Sequence, residues 1–74
     1  MMEMLSKNLL ELRKGKGLTR QAVADAIKIS VRTYQRYENN EREPTASVLS
    51  ALADFYDVSI DYLTGRTDKK EVNR

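Results

Sequence analysis

The chain has 74 residues, which is enough for one small domain with a single hydrophobic core. It contains no cysteine and no histidine, so disulfide bridges, thiol nucleophiles and the usual zinc ligand sets are excluded. Its net charge is only +2, but residues 1–42 carry nine Lys or Arg against five Asp or Glu, whereas residues 43–74 carry four against six. This asymmetry suggests a polyanionic partner on one face, although charge alone favours an ordinary solvated surface.

The first helix is predicted over Leu5 to Arg13, where Leu5, Leu9 and Leu12 recur at helical spacing. The sequence "GKG" at 15–17 ends it, because glycine readily takes the left-handed conformation that follows a helix.

The second and third helices are predicted to lie close together in the sequence. Thr19 has the side chain of a helix N-cap, and the second helix runs to about Ile27. Ser30 then caps a third helix, Val31 to Glu38, which the Asn pair at 39–40 ends. So short a gap cannot fold the helices back antiparallel, and it indicates a helix-turn-helix.

Two further helices are predicted after the loop "EREP". Thr45 caps the fourth helix, whose apolar face contains Leu49, Leu52, Ala53 and Tyr56. A Ser at 59 caps a last short helix that stops at the Gly at 65, and residues 67–74 form a polar tail that we expect to be frayed. The predicted fold class is therefore all-α, with five short helices and no strand. No apolar run approaches the roughly 20 residues that span a bilayer, and the start lacks the zones of a signal peptide.

The third helix carries the residues that point to function. Tyr34 and Tyr37 lie on one side of the helical wheel, and the polar residues lie on the other. That second side contains Val31 and the polar residues Arg32, Gln35, Arg36 and Asn39. Arg pairs well with guanine and Gln with adenine, so this side suits the edges of bases in a major groove. The residues alone also fit an ordinary amphipathic surface helix.

The chain as a whole resembles the Cro/CI-type helix-turn-helix family of bacterial and phage regulators, often called the XRE family. The matching segments are "LTRQAVADAI", "SVRTYQRYEN", "EREP" and "LSALADFYDVSIDYLTGRTD", and the resemblance runs from about Leu5 to Asp68. It implies a compact five-helix domain like that of the lambdoid phage repressors over residues 5–66. The helix-turn-helix motif would occupy about 20–39.

The resemblance also implies roles for individual residues. The third helix would be the recognition helix, in the major groove. The residues that match base-reading positions are Val31, Arg32, Gln35 and Arg36. The residues that match phosphate-binding positions are Arg20, Ser30, Asn39 and Arg42. The pair Arg13 and Glu38 matches residues that bridge the first helix to the end of the third, and we expect this pair to orient the recognition helix.

Three positions depart from the family pattern. Lys28 and Asn40 stand where Gly is common, and Arg20 stands where many relatives have Gln. A left-handed backbone at Lys28 would cost roughly 1–2 kcal/mol.

The resemblance implies a cytoplasmic, sequence-specific, double-stranded DNA-binding transcriptional regulator, most simply a repressor that binds an inverted-repeat operator as a homodimer. The predicted dimer surface contains Val58, Tyr62 and Leu63. The alternative is a protein-interaction module, such as an antitoxin or an anti-repressor partner, that retains the fold. No catalytic residues, cofactor, metal or membrane contact is expected.

Overall fold

The computed structural model describes residues 3–71 and contains five α-helices. They are α1 (Glu3–Gly15), α2 (Arg20–Ala26), α3 (Val31–Glu38), α4 (Ala46–Tyr56) and α5 (Ile60–Leu63). No strand occurs between residues 3 and 71, and the predicted all-α class is confirmed. The main difference lies in α1, which is longer than predicted at both ends.

Four helices begin at a side chain that caps them. The hydroxyls of Thr19, Ser30, Thr45 and Ser59 each accept a hydrogen bond from the amide three residues later. Each bond satisfies one of the amides that the first turn of a helix leaves without a partner, and is worth about 1 kcal/mol. All four predicted caps are confirmed.

All five helices end at a residue in the left-handed conformation. These residues are Gly17, Lys28, Asn40, Asp57 and Gly65, with φ between 55° and 81°. The next amide then bonds back to a carbonyl five residues earlier, as Ile29 does to Ala24 at 3.0 Å and Glu41 to Arg36 at 2.9 Å. This is the Schellman arrangement, and three of its five left-handed positions are occupied by residues other than glycine.

The core lies where the apolar faces of the helices meet. Its buried side chains are Leu5, Leu9, Val23, Ala24, Tyr34, Tyr37, Leu52, Ala53, Tyr56, Val58 and Leu63. Helix α3 packs against α1 and α2, and α5 packs against α1 and α4. The predicted core positions of Tyr34 and Tyr37 are therefore confirmed, and the opposite side of α3 is left at the surface.

A buried polar residue joins α1 to α5. Asn8 is 5% exposed, and its Nδ2 donates to the carbonyl oxygens of Tyr62 at 2.8 Å and Leu63 at 3.3 Å. These carbonyls belong to the last turn of α5, and that of Tyr62 also accepts from the Gly65 amide at 3.1 Å. Asn8 thus fixes the last helix against the first, a role that its place in the sequence did not indicate.

The polar segment that follows α5 is folded back against it. The Ser59 amide donates to the Lys70 carbonyl at 3.1 Å, and the Lys70 ammonium lies 5.8 Å from the centre of the Tyr62 ring. Both contacts hold the tail at Lys70, and the expectation that the tail is frayed stays a prediction. Residues 72–74 of the predicted tail lie outside the described residues.

Within residues 3–71, none of the helices combines the length and the apolar character that crossing a membrane requires.

Candidate nucleic-acid interface

The surface of α3 presents three of the predicted base-reading side chains together. Arg32 and Gln35 are exposed and Arg36 is half-buried, and all three line one shallow groove of about 300 Å³. This grouping follows from the i, i+3 and i+4 spacing of a helix whose other face is buried. Their role in base reading stays a prediction.

Val31 occupies a different environment from the other three. It is the first residue of α3, it is half-buried, and it packs against the edge of the core. A small part of its side chain therefore remains for an apolar contact.

The same groove contains a carboxylate that the sequence did not indicate. Glu41 is exposed and lines the groove with Arg32, Gln35 and Arg36. The backbone amide of Glu41 donates a hydrogen bond to the Arg36 carbonyl, which holds Glu41 beside the last turn of α3. A carboxylate accepts hydrogen bonds, guanidinium groups donate them, and an amide side chain does both. The groove therefore combines two donor groups, one amide and one acceptor group.

A buried carboxylate lies at the end of α3 and ties three helices together. Glu38 accepts from Arg13 Nε at 2.7 Å and from Arg13 Nη2 at 3.2 Å. Arg20 Nε donates to the same carboxylate at 3.0 Å. The Glu38 side chain is 1% exposed, and its contacts with the guanidinium groups offset the cost of burying its charge. The expected contact between Arg13 and Glu38 is present, while its effect on helix orientation stays a prediction.

The charge state of this cluster follows from its contacts. Burial alone raises the pKa of Glu38, but the hydrogen bonds from Arg13, Tyr34 and Arg20 outweigh burial and bring that pKa below its ordinary value. The hydrogen bond to Glu38 raises the pKa of Arg13. Glu38 therefore stays ionised and Arg13 stays protonated at neutral pH.

Two tyrosine hydroxyls extend the cluster into the core. The Tyr34 hydroxyl helps to lower the pKa of Glu38, and its oxygen lies 3.3 Å from that of Tyr56. Burial is the main cause that raises the pKa of both phenols, so both remain neutral donors. No buried side-chain nitrogen or oxygen among residues 3–71 lacks a hydrogen-bond partner. The underside of α3 is therefore held by a fully satisfied polar network.

The predicted phosphate-binding residues have different amounts of free hydrogen-bonding capacity. Arg42 and Asn39 are exposed at and after the end of α3. Ser30 caps α3, and its hydroxyl also donates to Thr33 Oγ1 at 2.8 Å, so its proton is already used. Arg20 is 42% exposed although its Nε is bound to Glu38. Phosphate binding by these four residues stays a prediction.

The predicted dimer surface needs a correction at two of its three residues. Val58 is 4% exposed and Leu63 is not exposed at all, because both side chains are part of the core. Tyr62 is half-buried and keeps some surface. The sequence pattern missed Ile60, which is 41% exposed on α5. Ile60 and part of Tyr62 therefore provide accessible apolar surface on α5.

Comparison with known families agrees with this arrangement. Residues 9–63, which include all of α2, α3 and α4, match the family described as Helix-turn-helix (HTH_3). The chain belongs to the helix-turn-helix family. Membership confirms the lambda-repressor-like fold predicted from the sequence, and it agrees with the expectation that the chain is not an enzyme.

Several curated bacterial and phage proteins are similar to the chain. The HTH-type transcriptional regulator AnsR of Bacillus subtilis is 41% identical over 63 residues, which is 85% of this chain and 54% of AnsR. The HTH-type transcriptional regulator ImmR of the same organism is 33% identical over 69 residues, covering 93% of this chain and 54% of ImmR. The cryptic phage CTXphi transcriptional repressor RstR of Vibrio cholerae is 38% identical over 69 residues, covering 90% of this chain and 62% of RstR. The chain thus spans about half to three fifths of the length of these relatives.

Proposed function

We propose that the chain is a sequence-specific, double-stranded DNA-binding transcriptional regulator that acts in the cytoplasm as a repressor. The observation that carries this proposal is the groove of α3, where Arg32, Gln35 and Arg36 converge on the side of the helix opposite the buried tyrosines. Arg and Gln side chains on one exposed helix face can make bidentate hydrogen bonds to guanine and adenine edges. The names of AnsR, ImmR and RstR, all called transcriptional regulators or repressors, support the same function.

The division of labour on DNA follows the position of each residue. Val31, Arg32, Gln35 and Arg36 read bases, and residues at the ends of α2 and α3 bind phosphates and set the register. Arg20 and Arg42 are the charged members of the phosphate-binding set. An inverted-repeat operator would place two copies of α3 about one helical turn apart. The copies would meet near α5, where Ile60 and Tyr62 offer apolar surface.

The competing function is a protein-interaction module, such as an antitoxin, that keeps the fold without reading DNA. Such a module has no need of a cationic groove on α3. The two arginines and the glutamine in the groove therefore favour DNA binding, although one chain can serve both purposes.

Selection of bound duplexes from a random DNA pool at near-physiological salt tests the proposal. An enriched inverted repeat is the expected result, and its spacing gives the half-site separation. Arg32→Ala or Arg36→Ala should then relax specificity at about 1–3 kcal/mol for each lost base contact. Salt-sensitive retention without enrichment would refute sequence-specific reading and favour the interaction module.

A further inference from the structure

The guanidinium of Arg20 is hydrogen-bonded through Nε, whereas its two Nη groups are available to a ligand. Its Nε donates to Glu38 at 3.0 Å, and among residues 3–71 neither of its Nη groups has a hydrogen-bond partner. With 42% of the side chain exposed, Arg20 remains accessible to a ligand. Two parallel N–H donors on one edge of a guanidinium match the geometry of two phosphate oxygens.

Arg13 also donates its Nε to Glu38, but it differs from Arg20 in the partners of its Nη groups and in its exposure. Its Nε and Nη2 bind Glu38, and its Nη1 donates to the Leu18 carbonyl at 2.9 Å. The side chain is 11% exposed. Arg13 therefore balances the buried charge of Glu38 and has little left for a ligand. Arg20 is the second cation on a carboxylate that already has one, so the cluster carries an excess positive charge at the surface.

The position of Arg20 connects this excess charge to the recognition helix. Arg20 is the first residue of α2, and Glu38 is the last residue of α3. A phosphate that binds the free edge of Arg20 is thereby linked, through one side chain and one buried carboxylate, to the end of α3.

We infer that Glu38 is a positioning residue for DNA, which sets the guanidinium of Arg20 in the orientation that grips one backbone phosphate. This inference rests on the proposed function and deepens it. Fixing the side chain before DNA arrives removes part of the entropy cost of binding. The link to α3 also makes the phosphate contact a determinant of where the base-reading side chains lie. Arg20 therefore contributes to specificity as well as to general affinity.

Replacement of single phosphates tests the inference. Each phosphate of the selected duplex is replaced in turn by an uncharged methylphosphonate, and the loss of affinity is measured. The parent should show one position per half-site with a loss of about tenfold, the scale of one charge-assisted hydrogen-bond contact. That loss should disappear in Arg20→Ala and shrink strongly in Glu38→Gln, whose side chain no longer carries the charge that holds Arg20.

Two further variants separate positioning from charge and from folding. Arg20→Lys keeps the charge and leaves the Arg13–Glu38 pair intact, but it lacks Nε and the planar guanidinium. Its affinity for DNA should therefore be nearer to that of Arg20→Ala than to that of the parent. Arg42→Ala removes a different predicted phosphate contact and should leave the loss at the Arg20 phosphate unchanged.

The outcomes distinguish this inference from the proposed function. Should Arg20→Lys keep parental affinity, or a folded Glu38→Gln keep the full loss at that phosphate, charge alone suffices and the positioning role is overturned. An enriched duplex without any phosphate that depends on Arg20 overturns this inference only. Failure of the parent to enrich any duplex overturns both.

Discussion

Lys28, between α2 and α3, gives the most direct test of how the turn of the helix-turn-helix is built. Its φ is 62°, and a side chain in this left-handed region costs roughly 1–2 kcal/mol. Its side chain is exposed and forms no hydrogen bond or ion pair within residues 3–71, so removing it loses little. Lys28→Gly therefore removes the strain at almost no cost in contacts.

The expected gain is smaller than the strain itself. Glycine makes the unfolded chain more flexible, which offsets roughly 0.4–1 kcal/mol. Lys28→Gly should therefore raise the free energy of unfolding by about 0.5–1 kcal/mol. For a domain of this size such a gain corresponds to an increase in Tm of roughly 2–8 °C. Thermal and urea unfolding, followed by circular dichroism, measure both quantities.

Lys28→Ala is the matched control, because it removes the same side chain and charge but keeps the Cβ that causes the strain. It should leave stability nearly unchanged. Asn40→Gly should gain less than Lys28→Gly, since Asn tolerates its φ of 58° better than Lys tolerates 62°. Equal stability of the Gly and Ala variants at position 28, or a loss with Gly, would refute the reasoning.

Further predictions concern the buried cluster and a second turn. Arg13→Ala should lower the free energy of unfolding by about 3 kcal/mol or more, because it leaves a buried carboxylate short of its main partner. Arg20→Ala should lower the free energy of unfolding by only about 1 kcal/mol or less, because the Arg20 side chain is 42% exposed. Equal losses for Arg13→Ala and Arg20→Ala in urea unfolding would show that this ranking is wrong. Because the folded-state pKa of Glu38 lies below 4.5, its stabilisation is present above pH 4.5 and is lost as pH falls through that lower pKa. The free energy of unfolding should depend less on pH in Glu38→Gln than in the parent. An equal dependence on pH in both proteins would contradict the assignment of this stabilisation to Glu38. Gly65→Ala should lower Tm, since φ is 81° and a Cβ would lie 2.5 Å from a neighbouring side-chain carbon, whereas Gly15→Ala meets nothing within 4 Å and should not.

The existence of the helices and the starts of α2 to α5 were predictable because their signals are local. Thr19, Ser30, Thr45 and Ser59 each cap the helix that follows within three residues, so the sequence alone contains both partners of the bond. The cost of a left-handed backbone at Lys28 was anticipated only through the family resemblance, because Gly is common at that position, and the φ of 62° shows that this conformation is present.

The contacts between distant parts of the chain were harder to predict. Arg20 lies 18 residues from Glu38, and nothing in the local pattern indicates that they meet. The burial of Val58 and Leu63 was missed because an apolar residue in or beside a short helix is equally consistent with core and with interface. In the sequence Asn8 looks like an ordinary polar residue, and its role is visible only in the fold, where it donates to the Tyr62 carbonyl of α5.

The left-handed ends of the helices have a consequence for how fast the chain folds. Each of α2, α3, α4 and α5 has its start fixed by its own N-cap and its end by its own left-handed residue, so its limits are set by neighbours in sequence. Short-range contacts form before much loop entropy is lost, and domains dominated by them fold in microseconds to milliseconds. A newly made chain would therefore spend little time with its apolar faces uncovered, since the search that remains is the docking of helices whose lengths are already set.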